Sequence, residues 1–67
     1  MLKIYTLPTC GICKMFKKKL AEKQIPYEEY NLTDYAEELH TDRAPVFVID
    51  DTILYTPSEI NKWIIGE

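Results

Sequence analysis

The sequence has little of several features that define other classes of protein. Its 67 residues include only 2 Cys, 2 Gly, 1 His and 1 Trp. No apolar run of about 20 residues, the length that crosses a bilayer, is present, and the first residues lack the pattern of a signal peptide. There are no repeats, linkers or low-complexity segments. We therefore expect one compact domain over residues 1–67, located in the cytoplasm and not associated with a membrane.

The shortage of cysteine limits what the two thiols can do. Cys10 and Cys13 are so close that a bond between them would constrain the unfolded chain little, so a structural staple is disfavoured. In a reducing compartment such a pair is more often catalytic or metal-binding than structural. Structural zinc requires four ligands, and His40, at the end of a polar segment, is typical of a surface histidine. We predict no metal site within one chain, while a metal or cluster shared between two chains stays open.

The charges are distributed unevenly around a formal net charge of −3. Residues 1–26 carry six lysines and a single glutamate, whereas residues 27–67 carry ten acidic residues against Arg43 and Lys62. The acidic total and the lack of a nucleic-acid-binding motif argue against DNA or RNA as a partner.

Periodicity and turn residues predict the element order β-α-β-α-β-β-α. The predicted strands are "LKIYTL" (2–7), "PYEEYNL" (26–32), "APVFVID" (44–50) and "TILYT" (52–56), the last two joined by a turn at Asp50–Asp51. "APVFVID" lacks alternation, which predicts a strand covered on both faces. A β-α-β unit implies a parallel pair and the final two strands a hairpin. The expected fold is therefore α/β, with a four-stranded mixed sheet flanked by three helices.

The three predicted helices have distinct starts and inner faces. Thr9 can cap the first, the second covers "TDYAEELH" (33–40), and "TPSEINKWIIGE" (56–67) combines Thr56 as cap, Pro57 and Glu59 in a capping box. Their spacing predicts the following inward-facing side chains: Ile12, Met15, Phe16 and Leu20; Tyr35, Ala36 and Leu39; Ile60, Trp63 and Ile64.

A cysteine pair at the start of a helix has specific chemistry. The free backbone N–H groups and the helix dipole at that end favour an anion, so the pKa of the Cys10 thiol is expected to be lowered. Lys14, one turn on, adds to this effect. The thiolate is the nucleophile of disulfide exchange, so Cys10 is expected to attack first and Cys13 to resolve the mixed disulfide.

Two separated motifs, "YTLPTCGIC" and "RAPVFVIDD", resemble those of the glutaredoxin family, which has the thioredoxin fold. The resemblance spans nearly the whole chain. It implies that Cys10 is the nucleophile and Cys13 the resolving thiol. It also implies that the bond before Pro45 is cis, that Pro45 lies against the active site, and that the backbone of Ala44 pairs with a bound peptide or glutathione.

Departures from the family pattern concern glutathione. Leu7 stands where glutaredoxins usually carry a lysine, and Tyr55 and Thr56 stand where they usually carry two glycines. Thr56, Ser58 or Arg43 are the candidates for holding a carboxylate instead. "RAPV" followed by two aspartates and a later Pro-x-x-Ile (57–60) is similar to the small glutaredoxin-like redoxins that deliver electrons to ribonucleotide reductase, although their Trp-Ser-Gly-Phe segment is absent.

These observations predict a monomeric thiol–disulfide oxidoreductase that reduces protein or glutathione mixed disulfides without a cofactor. Its reductant is expected to be glutathione or thioredoxin reductase, and ribonucleotide reductase is a candidate electron acceptor. The alternative hypothesis is an iron–sulfur cluster carrier with the cluster held between two subunits and glutathione, because "CGIC" lacks the proline common in purely redox members. Visible absorbance after anaerobic reconstitution distinguishes the two. A binding module without activity is a third hypothesis, disfavoured because both motifs are present.

Overall fold

The computed structural model describes residues 2–66, so the two ends of the predicted domain, Met1 and Glu67, lie outside the described residues. Within residues 2–66 the elements follow in this order: β1 (Leu2–Thr6), α1 (Gly11–Glu22), β2 (Tyr27–Asn31), a 3₁₀ helix (Leu32–Tyr35) leading into α2 (Ala36–Leu39), β3 (Val46–Ile49), β4 (Thr52–Leu54) and α3 (Pro57–Gly66). The predicted element order is confirmed. The second helix is shorter than predicted because its first turn is 3₁₀.

The four strands form one mixed sheet in the order β2-β1-β3-β4. β1 pairs in parallel with β2, and β3 is antiparallel to both β1 and β4. The turn between β3 and β4 is at Asp50–Asp51, as predicted, and Asp50 has a φ of 53°. A short polar residue such as aspartate tolerates this left-handed conformation better than most.

The core has two parts, one on each face of the sheet. Side chains that alternate along β1 belong to different parts: Ile4 lies in the first and Tyr5 in the second. The first part lies between the sheet and the helices α1 and α3, with the buried members Leu2, Ile4, Phe16, Leu20, Phe47, Ile60 and Ile64. The second lies under α2, with the buried members Tyr5, Leu32, Leu39 and Val46. Val46 and Phe47 contribute to opposite parts, so β3 is covered on both faces as predicted.

The start of α3 confirms the predicted capping box. The Glu59 N–H donates to the Thr56 hydroxyl oxygen at 3.2 Å, and the Thr56 hydroxyl donates to the Glu59 carboxylate at 2.9 Å. Pro57 occupies the first helical position, where its missing N–H costs nothing.

The start and outer face of α1 differ from the prediction. Cys10, not Thr9, caps the helix, because the chain first turns through a hydrogen bond from the Cys10 N–H to the Leu7 carbonyl. The buried face is Cys13, Phe16 and Leu20, whereas Ile12 and Met15 are each 46% exposed. The predicted and the observed inner faces share Phe16 and Leu20. Packing against the sheet turns the side of the helix that carries Cys13 inward and leaves the side with Ile12 and Met15 at the surface.

None of the helices within residues 2–66 has the length and apolar composition needed to cross a membrane.

Candidate active site

Cys10 and Cys13 lie at the junction between the loop after β1 and the first turn of α1. Cys10 is extended, with φ −85° and ψ 105°, and its sulfur accepts the Cys13 N–H at 3.1 Å. That contact caps the helix as an oxygen cap does. The two Cα atoms are 5.3 Å apart, and the side chains are joined by a disulfide. The structure therefore holds the pair in its oxidised form.

The two cysteines differ in exposure. Cys10 is half-buried at the end of the loop, whereas Cys13 is 2% exposed and packed inside the domain. Gly11 between them is open, since a Cβ placed there would meet nothing within 4 Å. The first turn of α1 contains no acidic residue and Lys14 is exposed one turn on, so the electrostatic surroundings favour an anion at Cys10.

The segment before β3 is at the same edge of the sheet as these cysteines. Val46 pairs with Tyr5, so the residues before Val46 lie beside the end of β1 that leads into Cys10. The Ala44–Pro45 peptide bond is cis, as the resemblance implied. Pro45 is buried and Ala44 is half-buried. The register thus brings both predicted motifs together.

The remaining predicted binding residues are less available. Thr56 lies at this edge too, since β4 pairs Leu54 with Phe47, but its hydroxyl is engaged in the α3 capping box. Glu59 places a carboxylate in the first turn of that helix. Arg43 is exposed, and its backbone N–H donates to the Thr41 hydroxyl. The N-terminus of α3 thus already carries an anion of its own.

Tyr55 makes a contact that sequence reasoning missed. Its hydroxyl donates to the Leu39 carbonyl at the end of α2, at 3.2 Å, and the side chain is 43% exposed. The phenol therefore connects the segment before α3 with the end of α2. The two residues are 16 positions apart, and no local pattern indicates such a contact.

A second missed feature lies under α1, on the side of β2. Glu29 accepts hydrogen bonds from the Thr6 hydroxyl at 2.7 Å and from the Lys17 ammonium at 2.9 Å, both at one carboxylate oxygen. These two bonds, that of Thr6 first, lower the pKa of Glu29 because they stabilise its charged form. Lys17 follows Cys13 by one turn of the helix. The cluster therefore joins α1 to the edge strand β2, one helical turn from Cys13.

His40 has a backbone role. It is exposed and ends α2 in the left-handed conformation, with φ 56°. Among the residues from 2 to 66, no three His, Cys, Asp or Glu side chains come together in a group that could hold a metal ion.

A groove of about 340 Å³ opens between α1 and α3 and is lined by Lys19, Lys23, Asn61 and Ile64, among others. It lies toward the C-terminal end of α1, away from Cys10. It is therefore separate from the cysteine site.

The sheet order, the cysteine pair at a helix start and the cis proline before β3 define the class of thioredoxin-like proteins. Solved structures agree with that class. The thioredoxin-like protein BC3987 superposes with a TM-score of 0.77 over 96% of this chain and 99% of its own, at 21% identity. A diazinon-metabolizing glutathione S-transferase of the silkworm Bombyx mori superposes with a TM-score of 0.81 over the whole chain, at 20% identity, and this chain spans 37% of it. These similarities establish the fold.

Sequence comparison identifies the family within that class. The sequence model described as Glutaredoxin matches residues 2–53. An uncharacterized glutaredoxin-like 8.6 kDa protein of a rubredoxin operon in Clostridium pasteurianum is 36% identical over 96% of this chain and 97% of its own. The glutaredoxin-like protein NrdH of Lactococcus lactis is 34% identical over 92% of this chain and 97% of its own. The chain belongs to the glutaredoxin family, and its Cys-x-x-Cys pair supports thiol–disulfide oxidoreductase activity in general.

Proposed function

We propose that this protein reduces disulfides of partner proteins and is itself reduced by a thioredoxin reductase rather than by glutathione. A ribonucleotide reductase is the proposed partner. The observation that carries the proposed disulfide exchange is the unequal exposure of the two cysteines, with Cys10 half-buried at the surface and Cys13 2% exposed. An incoming disulfide can reach the first sulfur, and only an intramolecular attack can use the second.

The reaction has two exchange steps. The Cys10 thiolate attacks one sulfur of the partner disulfide, a Cys10–partner bond forms, and the partner's other sulfur leaves as a thiolate and takes up a proton. The Cys13 thiolate then attacks the Cys10 sulfur and releases the second partner thiol. Two electrons pass to the partner, and the bond between Cys10 and Cys13 that results is the one in the structure.

The proposed binding site for the partner lies beside Cys10, at the segment before β3. The backbone N–H and C=O of Ala44 pair with an extended segment of the partner in this proposal, next to the buried ring of Pro45. Main-chain pairing of this kind holds the scissile disulfide in line with the attacking sulfur and tolerates many side chains.

Three features support a reductant other than glutathione. Leu7 offers no positive charge to a glutathione carboxylate. Tyr55 is bonded to the Leu39 carbonyl, and so occupies space between α2 and α3. At the start of α3 the carboxylate of Glu59 accepts a hydrogen bond from the Thr56 hydroxyl and repels a second anion. The NrdH relatives support the proposed partner, through the resemblance to redoxins that serve ribonucleotide reductase.

The choice of reductant is tested on the oxidised protein. It is incubated either with reduced glutathione or with thioredoxin reductase and NADPH, and free thiols are counted per chain. We expect two thiols with the reductase and few with glutathione. Tyr55→Gly combined with Glu59→Gln should increase the rate with glutathione. Reduction by glutathione alone overturns the proposed reductant, and failure of both overturns the oxidoreductase.

The roles of the two cysteines are tested with a matched pair of variants. Cys10→Ser should lose at least a hundredfold in disulfide reduction, because the accessible nucleophile is gone. Cys13→Ser should instead accumulate a mixed disulfide with the partner, visible as an intact-mass adduct that dithiothreitol removes. The mechanism is wrong if Cys10→Ser reduces disulfides at the wild-type rate. It is also wrong if Cys10→Ser accumulates the mixed disulfide expected of Cys13→Ser.

A further inference from the structure

The outer face of α1 exposes two large apolar side chains next to the reactive sulfur. Ile12 and Met15 are each 46% exposed, although the sequence pattern placed both in the core. Ile12 is two residues from Cys10, and Met15 is one turn beyond it along the helix. Apolar surface beside a reactive group is typical of a protein-binding site, and methionine adapts to varied partners.

Lysines flank these apolar side chains. Lys14 and Lys18 are exposed and four residues apart, so they form one stripe beside Met15. Neither makes an ion pair or a side-chain hydrogen bond with any residue between 2 and 66. The other lysines of this helix region are engaged, since Lys17 bonds to Glu29, Lys19 to Asn61 and Lys23 to the Ile64 carbonyl.

The charge of this face is opposite to that of the chain. The formal net charge is −3, yet the exposed stripe nearest Cys10 is positive. Glu22 follows Lys18 by one turn and offsets it only at the far end of the helix. A partner that approaches Cys10 therefore meets positive charge and apolar surface together, and acidic residues on the partner are the complement of both.

We propose that Ile12, Lys14, Met15 and Lys18, here called the outer face of α1, dock an acidic segment of the disulfide-bearing partner protein. That segment carries one or more apolar side chains that cover Ile12 and Met15, and its carboxylates lie against Lys14 and Lys18. The proposal rests on the proposed function, since docking matters for catalysis only if Cys10 reacts with that partner. It adds a substrate class: disulfides flanked by acidic and apolar residues.

The test compares three substrates of the wild-type protein. Two are synthetic peptides with the same disulfide and the same leucine, one flanked by glutamates and the other by lysines, and the third is bis(2-hydroxyethyl) disulfide. At low ionic strength we expect kcat/KM for the acidic peptide to exceed that for the basic peptide by about tenfold. The preference should shrink as salt is added, because exposed charges are screened.

Matched variants locate the preference on the protein. Lys18→Glu should lower kcat/KM for the acidic peptide by about threefold or more, while Lys62→Glu, the same charge change on α3, should not. Met15→Ser should slow both peptides by a similar factor, because both carry the same leucine. Coincident thermal unfolding of these surface variants with the wild type excludes misfolding as the cause.

The outcomes distinguish failure of the docking proposal from failure of the proposed oxidoreductase activity. Equal rates for the two peptides, or equal losses in Lys18→Glu and Lys62→Glu, overturn the docking surface and leave the oxidoreductase intact. Failure to reduce any of the three substrates overturns both. Analytical ultracentrifugation gives a further outcome. If the wild type sediments as a dimer and Met15→Ser as a monomer, the outer face of α1 binds a second copy of the chain, and the proposal of an acidic partner is wrong.

Discussion

Cys10 and Cys13 are three positions apart, and over that distance the chain passes from a loop at the surface to the interior. One sulfur caps a helix and can be reached, whereas the other packs within the core region and is 2% exposed. Two chemically identical side chains thereby differ in exposure, which is the basis of the two different roles proposed for them. The division depends on the helix beginning at Gly11 and not one turn earlier or later.

At the same scale, the hydrogen bonds of Glu29 predict how the stability of the fold depends on pH. Its pKa lies below the ordinary value of 4.5, first because of the Thr6 hydroxyl and then because of Lys17. A carboxyl with a lower pKa in the folded state stabilises the fold above pH 4.5, and this contribution is lost as the pH falls through the lower folded value. The side chain is 40% exposed, so solvent reduces the effect to about 0.5 kcal/mol.

Glu29→Gln should therefore lower the free energy of unfolding at pH 7 by about 0.5 kcal/mol, and the difference from the wild type should shrink toward pH 3. Urea unfolding at several pH values measures it. Glu28→Gln, the neighbouring exposed acid, is the control and should not reproduce the trend. A constant difference between the Glu29 variant and the wild type would contradict the assignment.

At the scale of elements, short helices depend on their ends. α2 has only four residues, and its terminal carbonyls are satisfied from outside: the Tyr55 hydroxyl reaches Leu39, and the N–H groups of His40 and Thr41 reach back to Glu37 and Ala36. α3 depends instead on its own capping box. Both devices hold backbone groups that packing alone would leave unpaired.

The cap of α3 gives the prediction at this scale. Thr56→Ala removes the acceptor of the Glu59 N–H and should lower the free energy of unfolding by about 1 kcal/mol, with the fold retained. Ser58→Ala, an exposed position in the same turn, should change it by less than about 0.5 kcal/mol. Chemical denaturation monitored by circular dichroism compares the two. Equal effects of both substitutions would show that the Thr56 hydroxyl does not stabilise the helix.

For the whole molecule, the small size limits the free energy of unfolding, and so limits how destabilising a core substitution can be before the protein unfolds. A folded chain of 67 residues is expected to have a free energy of unfolding of about 3–10 kcal/mol. Phe47 is 1% exposed and lies edge-on against both Phe16 and Trp63, with ring centroids 5.9 and 6.5 Å apart. It joins the sheet to α1 and α3, so the part of the core under these helices depends on it.

Phe47→Ala should lower the free energy of unfolding by about 3–5 kcal/mol, because apolar burial is lost and a cavity is left behind. We expect this variant to be partly or wholly unfolded at 37 °C. Thermal unfolding followed by far-ultraviolet circular dichroism measures this loss. Ile53→Ala, on the exposed side of β4, is the control and should cost less than about 1 kcal/mol. A cooperative transition at the wild-type temperature in Phe47→Ala would mean that the core does not depend on this ring.

The sequence by itself determined the order of strands and helices, the turn at Asp50–Asp51 and the cap at Thr56. It also determined most of the core. These features follow from periods of 2 and 3.6 residues and from caps and turns completed within a few positions. The family pattern supplied the cis bond before Pro45, which composition could not indicate.

Only the tertiary structure decided which stripe of α1 turns inward, and so left Ile12 and Met15 at the surface. It also decided the contact of Tyr55 with Leu39, 16 residues apart, and that of Thr6 with Glu29, 23 residues apart. Two stripes of similar apolarity compete on α1, and the choice depends on the fit of Cys13 against the sheet. Contacts between distant residues depend on strand register and helix rotation, which are set by the packing of the whole domain.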